Sequence, residues 1–426
     1  MPLGFSWKAF VAALGAIAGC SFVTGYWLNA AGSPNQAFSG SHSAIQSAGA
    51  LGFPSETQFL VVAGGGAPAY NEIALEKNVR YFQRTLDHLG LDPASASVYF
   101  ANGDDGQATV RYLDPLGREQ FKVPEIPYLL GAATWDNVMG WFEDQQQPCP
   151  TFFYFTGHGA LSRENPDNNA MILWGEDFLS VQELAQKLDA LPADQPFVTM
   201  MAQCYAGSFA NLIYEDGDPE RPVALQTRCG FFATVKTRPS VGCTPLVNEA
   251  DYEDYSSSFF AGLSGRDRTG NPAPSADYDQ NGQVSFAEAH AFSKVDAVTP
   301  DLPISTSEAW LQRQASEVLV QQVISRPLAD GLQTARPEQR FVIESLAQEL
   351  GFTLSQSFSQ NQASQPANRT GEVRQAYAER LRMELVNVAV EAQIRQAENA
   401  GVTTTGRLGN AATLDKLLTC EAGTWK

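Results

Sequence analysis

The stretch Thr151-Phe-Phe-Tyr-Phe-Thr-Gly-His-Gly159 decides how this chain reads. Thr151–Phe155 is a short apolar run, the pattern of a strand buried on both faces, and it runs straight into a Gly-His-Gly turn. A second run, Phe197-Val-Thr-Met-Met-Ala202, leads in the same way into Gln203-Cys204-Tyr205-Ala206-Gly207-Ser208. Upstream, Gln58–Ala63 is stopped by Gly64-Gly65-Gly66, and Val98–Ala101 by Asn102-Gly103. Between these runs the apolar spacing changes to that of helices: Leu75, Val79, Phe82 and Leu86; Trp135, Val138 and Phe142 behind a capping Thr134; Val181, Leu184, Leu188 and Leu191. Strands alternating with helices predict an α/β fold with a mostly parallel sheet.

In an open parallel sheet, functional groups collect beyond the carboxyl ends of the strands. His158 and Cys204 are therefore expected on one edge of the sheet, on neighbouring strands if the strand order permits. A thiol near an imidazole can ionise at neutral pH, and the thiolate is the nucleophile. The His can then protonate the leaving amine. Gly159 leaves room for a substrate carbonyl, and the N–H groups of Gly159 and Cys204 are candidates to hold an oxyanion. The remaining His residues are weaker candidates: His42 lies in a polar segment, His88 at a helix end, and His290 after an acidic loop.

A hydrophobic strand ending in His158-Gly159, followed 46 positions later by one ending in Gln203-Cys204, resembles the caspase–legumain clan of cysteine peptidases. In caspases the His lies about 50 residues before the Cys. The resemblance covers about Glu56 to Trp310 and is nearest to bacterial caspase-like or legumain-like domains. It implies a three-layer sandwich with about six strands, a His158–Cys204 dyad with no third residue strictly required, and a protein or peptide substrate. Ala202 and Gln203 stand in the reverse of the caspase order and Gly207 lies one residue late, so a preference for Asp at the cleavage site is not carried over. Several clan members cleave themselves, and Asp216–Pro222 is the segment here that reads as exposed. A transpeptidase using the same dyad, or a catalytically silent lipoprotein acting as an interaction module, is the alternative function.

The loop Asp277-Tyr-Asp-Gln-Asn-Gly-Gln-Val-Ser-Phe-Ala-Glu288 matches the calcium loop of an EF-hand. Asp277, Asp279, Asn281, Gln283 (through its carbonyl), Ser285 and Glu288 fall at the six ligand positions, and Gly282 at the sharp turn. Asn271-Pro-Ala-Pro274 precludes the usual entering helix, so a structural Ca²⁺ is expected rather than a sensor, and no catalytic metal. The acidic run Glu249, Asp251, Glu253 and Asp254 reads as a solvated loop; by the resemblance, a place beside the pocket for Lys or Arg is the alternative.

At the N-terminus, Lys8 precedes an apolar run, Ala9–Gly19, too short to span a bilayer but suited to a signal peptide. Ile17-Ala-Gly-Cys20 resembles a bacterial lipobox, which implies lipidation at Cys20 and a lipid-anchored place in the cell envelope, on the outer membrane or its periplasmic face, with secretion as the alternative. Four cysteines remain beyond Cys20 and Cys204, and Cys229–Cys243 is the favoured disulfide, as an oxidising compartment permits. The expected organisation is a signal peptide (1–19), a tether (20–55), a peptidase domain (56–310, including the 277–288 loop) and a helical C-terminal region (311–426). Within the last, Phe341–Leu350 and a run from Val373 to Ala392 read as helices, with Ser355–Thr370 a flexible linker. The 426 residues carry a net charge of −19 with 44% hydrophobic residues, which excludes a disordered chain and argues against a nucleic-acid partner.

Overall fold

The computed structural model describes residues 57–144, 149–365, 371–400 and 411–425. Cys20, the signal segment and all of the tether lie outside them. The described strands are β1 (Gln58–Gly64), β2 (Ala96–Phe100), β3 (Val110–Leu113), β4 (Glu119–Lys122), β5 (Leu129–Gly131), β6 (Thr151–Gly157), β7 (Gly159–Ala160), β8 (Ala170–Leu173), β9 (Asp177–Ser180), β10 (Phe197–Ala202), β11 (Arg228–Phe232) and β12 (Ile304–Ser305). Seven of them form the central sheet in the order β12-β11-β10-β6-β1-β2-β5. Every pairing is parallel except that of β11 with β12. The α/β fold with a mostly parallel sheet expected from the strand–helix alternation is present. β3–β4 and β7–β8–β9 form two small antiparallel sheets.

Helices α1 (Ile73–His88), α2 (Trp135–Glu143), α3 (Val181–Asp189), α4 (Tyr255–Ser264) and α5 (Phe286–Asp296) cover the two faces. Alternate residues of β1 explain the layering, because successive side chains leave a strand on opposite faces. Phe59, Val61 and Ala63 pack with α1, α4 and α5, whereas Leu60 and Val62 pack with α2 and α3. β6 is buried at all seven positions, as a central parallel strand must be.

Beyond β12 lie α6 (Thr306–Gln314), α7 (Glu317–Ile324), α8 (Leu328–Gly331), α9 (Pro337–Leu350), α10 (Phe358–Ala363), α11 (Glu372–Asn399) and α12 (Ala411–Glu421). α8, α9, α10 and α11 share an apolar cluster around Ile343, Leu346 and Leu381. The described part of the expected Ser355–Thr370 linker, residues 355–365, holds a helix instead. Ser357 and Gln360 form a capping box that starts α10, and Phe358 is buried. After α12 the chain returns to the sheet. Trp425 meets Phe59, Phe82 and Phe152 edge-on at centroid distances of 5.3, 5.8 and 4.8 Å.

The expected Cys229–Cys243 disulfide is not formed. Cys229 is bonded to Cys420, 191 residues away, while Cys243 is free. Cys229 sits within β11 and points into the core cluster where Cys420, at the end of α12, also lies. Cys243 belongs to the loop beyond β11 and packs only against the edge of that cluster, beside the Gly157 carbonyl.

Candidate functional site

The site is built where β1, β6, β10 and β11 end together. β6 and β10 are hydrogen-bonded neighbours, with Ala202 opposite Thr156, so His158 and Cys204 leave the sheet side by side. Their backbones approach so closely that a Cβ on Gly159 would stand 2.0 Å from the Cys204 carbonyl oxygen. Only glycine fits there. Gly207 is held in the same way, its N–H donating to the Thr234 carbonyl at 2.8 Å, with Lys236 N 2.8 Å from any added Cβ. Tyr205, immediately after the cysteine, takes a left-handed φ of 60°, an uncommon conformation for a bulky residue and one that turns the chain sharply out of β10.

His158 is held by residues that spacing did not single out. Its Nε2 lies 3.0 Å from Oε2 of Glu72, the N-cap of α1, and the Tyr70 ring packs edge-on against the imidazole at 5.7 Å. Arg111 donates to the other Glu72 oxygen at 2.6 Å. Burial works against the Glu72 charge, but the His158 and Arg111 hydrogen bonds prevail and hold its carboxyl below the ordinary value. The same balance acts on His158. Burial opposes its protonation, yet Cys243 and Glu72 outweigh it and push the imidazole well above its ordinary pKa.

A thiol that spacing did not single out, that of Cys243, lies beside the imidazole. Glu72, His158 and Cys243 bring their ligand atoms within 4.8 Å of one another. Cys204 is turned towards the loop that carries Ser240. Its Sγ accepts from Ser240 N at 3.3 Å and faces Ser240 O at 3.5 Å. Burial, with Cys243 and Asp301 adding to it, pushes the Cys204 thiol up to about 11 against the lowering effect of Ser240 and His158. Asp301 fixes that loop, accepting from Ser240 Oγ at 2.6 Å and Val241 N at 3.1 Å. Burial dominates at Asp301 and raises its carboxyl to about 6. The segment around Asp301 is fixed in turn by Arg380 of α11. This buried guanidinium donates to the carbonyls of Lys294, Ala297, Thr299 and Asp301. The helical region thus reaches the thiol loop through one chain of hydrogen bonds.

The 277–288 loop leads directly into α5. Gln280 and Gly282 have φ of 60° and 88°, and the carboxylates of Asp277, Asp279 and Glu288 converge within 4.8 Å. Asp277 and Asp279 accept from Asn281 N at 3.0 Å each, and Glu288 accepts from Tyr278 N, Asp279 N and Ser285 N. The Asn281 amide donates to Asp279, and Gln283 N donates to the Asn281 side chain. Ser285 and Glu288 also form the capping box of α5, so one pair of residues serves both loop and helix. Asp254 of the acidic run is not a solvated charge: it is buried, caps α4 and lies 3.6 Å from Arg268. Glu249 pairs with Arg84 at 2.9 Å. His290 is a core histidine, placed between Tyr255 and Glu308.

No protein-family model matches this chain, and no curated protein matches it. Among the described residues no helix is long and apolar enough to cross a membrane.

Proposed function

We propose that the chain is a cysteine endopeptidase of the caspase–legumain type, held in the bacterial cell envelope by lipid at Cys20. The observation that carries this reading is the shared edge of β6 and β10, where His158 and Cys204 emerge from adjacent strands across a glycine that no other residue can replace. Cys204 attacks the scissile carbonyl and forms a thioester. His158, held by Glu72, protonates the departing amine and then takes a proton from the attacking water. The N–H groups of Gly159 and Cys204 stabilise the oxyanion. The resting Cys204 thiol is protonated; its proton passes to solvent as substrate displaces it from Ser240, and the thiolate recovers a proton when thioester hydrolysis releases the product acid. The Cys229–Cys420 bond supports an oxidising compartment, because such bonds persist there.

A peptidyl electrophile labels Cys204 in the wild type and fails with Cys204→Ala; equal labelling of the variant sinks the assignment. A second reading makes Cys243 the nucleophile, since its sulfur and the imidazole nitrogen lie within 4.8 Å of each other. Labelling lost in Cys243→Ala and kept in Cys204→Ala would establish it. Products formed with an added amine acceptor separate a transpeptidase from a hydrolase, and a folded protein inert to all peptide libraries is the interaction module.

The acidic loop supports a Ca²⁺ held by Asp277, Asp279, Asn281, Gln283, Ser285 and Glu288. The donor set fits a hard cation because every member offers oxygen. Bound Ca²⁺ ties the start of α5 to the loop before it. Calorimetric titration of the wild type and Asp277→Asn tests this, with equal affinity in the two counting against it.

A further inference from the structure

The cluster around His158 contains more ligating atoms than a Cys/His dyad uses. Glu72 arrives from the start of α1, His158 from the end of β6 and Cys243 from the loop beyond β11. Three separate segments bring an oxygen, a nitrogen and a sulfur within 4.8 Å of one another. We propose that Glu72, His158 and Cys243 form a binding site for Zn²⁺ or a similar borderline-soft divalent ion, with the fourth position open towards Cys204.

The chemistry suits zinc. Carboxylate oxygen, imidazole nitrogen and thiolate are its usual protein ligands, at about 2.0–2.3 Å from the metal. Tetrahedral placement at those lengths separates ligand atoms by about 3.3–3.6 Å. The Glu72–His158 pair, now 3.0 Å apart, needs to open by only a few tenths of an ångström. Imidazole and thiolate bind the ion in their deprotonated forms, so binding releases protons to solvent. Supporting contacts are already in place. Arg111 fixes the Glu72 oxygen that does not face His158, and Cys243 Sγ lies 3.8 Å from the Gly157 carbonyl. The buried carboxylate and half-buried imidazole, with 5% and 18% of their side-chain surfaces exposed, leave the ion an approach from one side. Magnesium and calcium are disfavoured by the sulfur and nitrogen ligands.

Occupancy removes His158 from acid–base work. The site is then an inhibitory one, a consequence that rests on the peptidase reading, whereas metal binding itself does not. The two are separated by a spectroscopic test on the full chain after chelator treatment and dialysis. Titration with Co²⁺ should reach one equivalent with a near-ultraviolet thiolate-to-cobalt charge-transfer band, and Zn²⁺ should bleach it. The band should vanish in Cys243→Ser and remain in Cys204→Ala. The calcium-type loop contains no sulfur, so it cannot give that band. No band in the wild type, or a band surviving in Cys243→Ser, overturns the site. Should Cys243→Ser fail to fold by circular dichroism, Glu72→Gln decides. It keeps every thiol and should bind Co²⁺ at least tenfold more weakly, and unchanged affinity overturns the assignment. Zn²⁺ should also slow Cys204 labelling in the wild type. A Co²⁺ band in a protein that never labels supports the metal site while removing the peptidase reading.

Discussion

Oε2 of Glu72 lies 3.0 Å from Nε2 of His158, tying the first turn of α1 to the end of β6. The charge on Glu72 is one of the two influences holding the imidazole protonated. Glu72→Gln keeps the shape and removes the charge, so the His158 pKa should fall, as followed by the NMR shift of its ring protons. Peptidyl labelling or turnover should drop about 10²-fold, the usual cost of misplacing a reacting group. An unmoved His158 titration would show that Glu72 only fills space.

The protonation of Cys204 makes a distinct prediction. Its thiol is pushed up to about 11 by burial, so the reactive thiolate is scarce at neutral pH. Alkylation of Cys204 by iodoacetamide in the resting protein should rise about tenfold per pH unit and still be rising at about pH 10. A rate already flat above pH 8 would mean that the thiolate–imidazolium pair exists before substrate arrives.

The Cys229–Cys420 bond closes a loop spanning 191 residues. Chain-entropy arguments give such a closure about 5 kcal/mol. Cys420→Ser should lower the unfolding midpoint strongly. Cys243→Ser, which breaks no disulfide, should not, and chemical denaturation under non-reducing conditions measures both.

A buried polar cluster joins β12 and α6 to the C-terminal helices. Lys294 bonds to Glu308 and to Glu384, and Glu421 accepts from Ser307 N at 2.6 Å. Burial raises Glu421 to about 7, against the hydrogen bonds from Ser307. An acid whose folded pKa lies above its unfolded value holds an extra proton in the fold. Its contribution is therefore fully present below about pH 4.5 and is lost as pH rises to about 7. Glu421→Gln removes that titration, so the variant should gain on the wild type in unfolding free energy between pH 5 and 7. A constant difference across that range would refute the shift.

Arg380 spends its whole guanidinium on the carbonyls that end α5 and lead to Asp301. Arg380→Leu leaves those carbonyls buried without partners, at a cost of about 3–5 kcal/mol. The loop bearing Ser240 and Val241 should then exchange its amide hydrogens faster, because Asp301 no longer has a fixed place. Unchanged exchange there would sever the proposed link between α11 and the thiol loop.

The legible part of this molecule was its centre. β1, β6 and β10 are unbroken apolar runs, and a strand's end is readable wherever glycines stop it, so His158 and Cys204 could be found without coordinates. β11 was not readable, because Arg228 and Gly230 interrupt its pattern; the arginine is buried because Asp189, the Gln226 side chain and the Leu212 carbonyl meet it. Glu72, Cys243, Ser240 and Asp301 lie in segments with no periodicity and reach the site through strand order. The disulfide failed for the same reason: nearness in sequence favoured Cys243, while the topology delivered α12 to β11. In the polar stretch holding α10, the Ser357–Gln360 spacing was the available signal for a helix start.

Trp425 has a consequence for how the protein is made. Its ring is part of the aromatic wall behind β1 and β6, the strands whose ends carry the site. Contacts spanning more than 270 residues are slow to find, since long loops must close before the contact repays them. A nascent chain can pair its first strands early, yet that wall stays unfinished until the residues around 425 have been synthesised. Assembly of the thiol and imidazole on a rigid edge thereby waits for the residues around 425, and a chain lacking Trp425 carries both groups on an incomplete support.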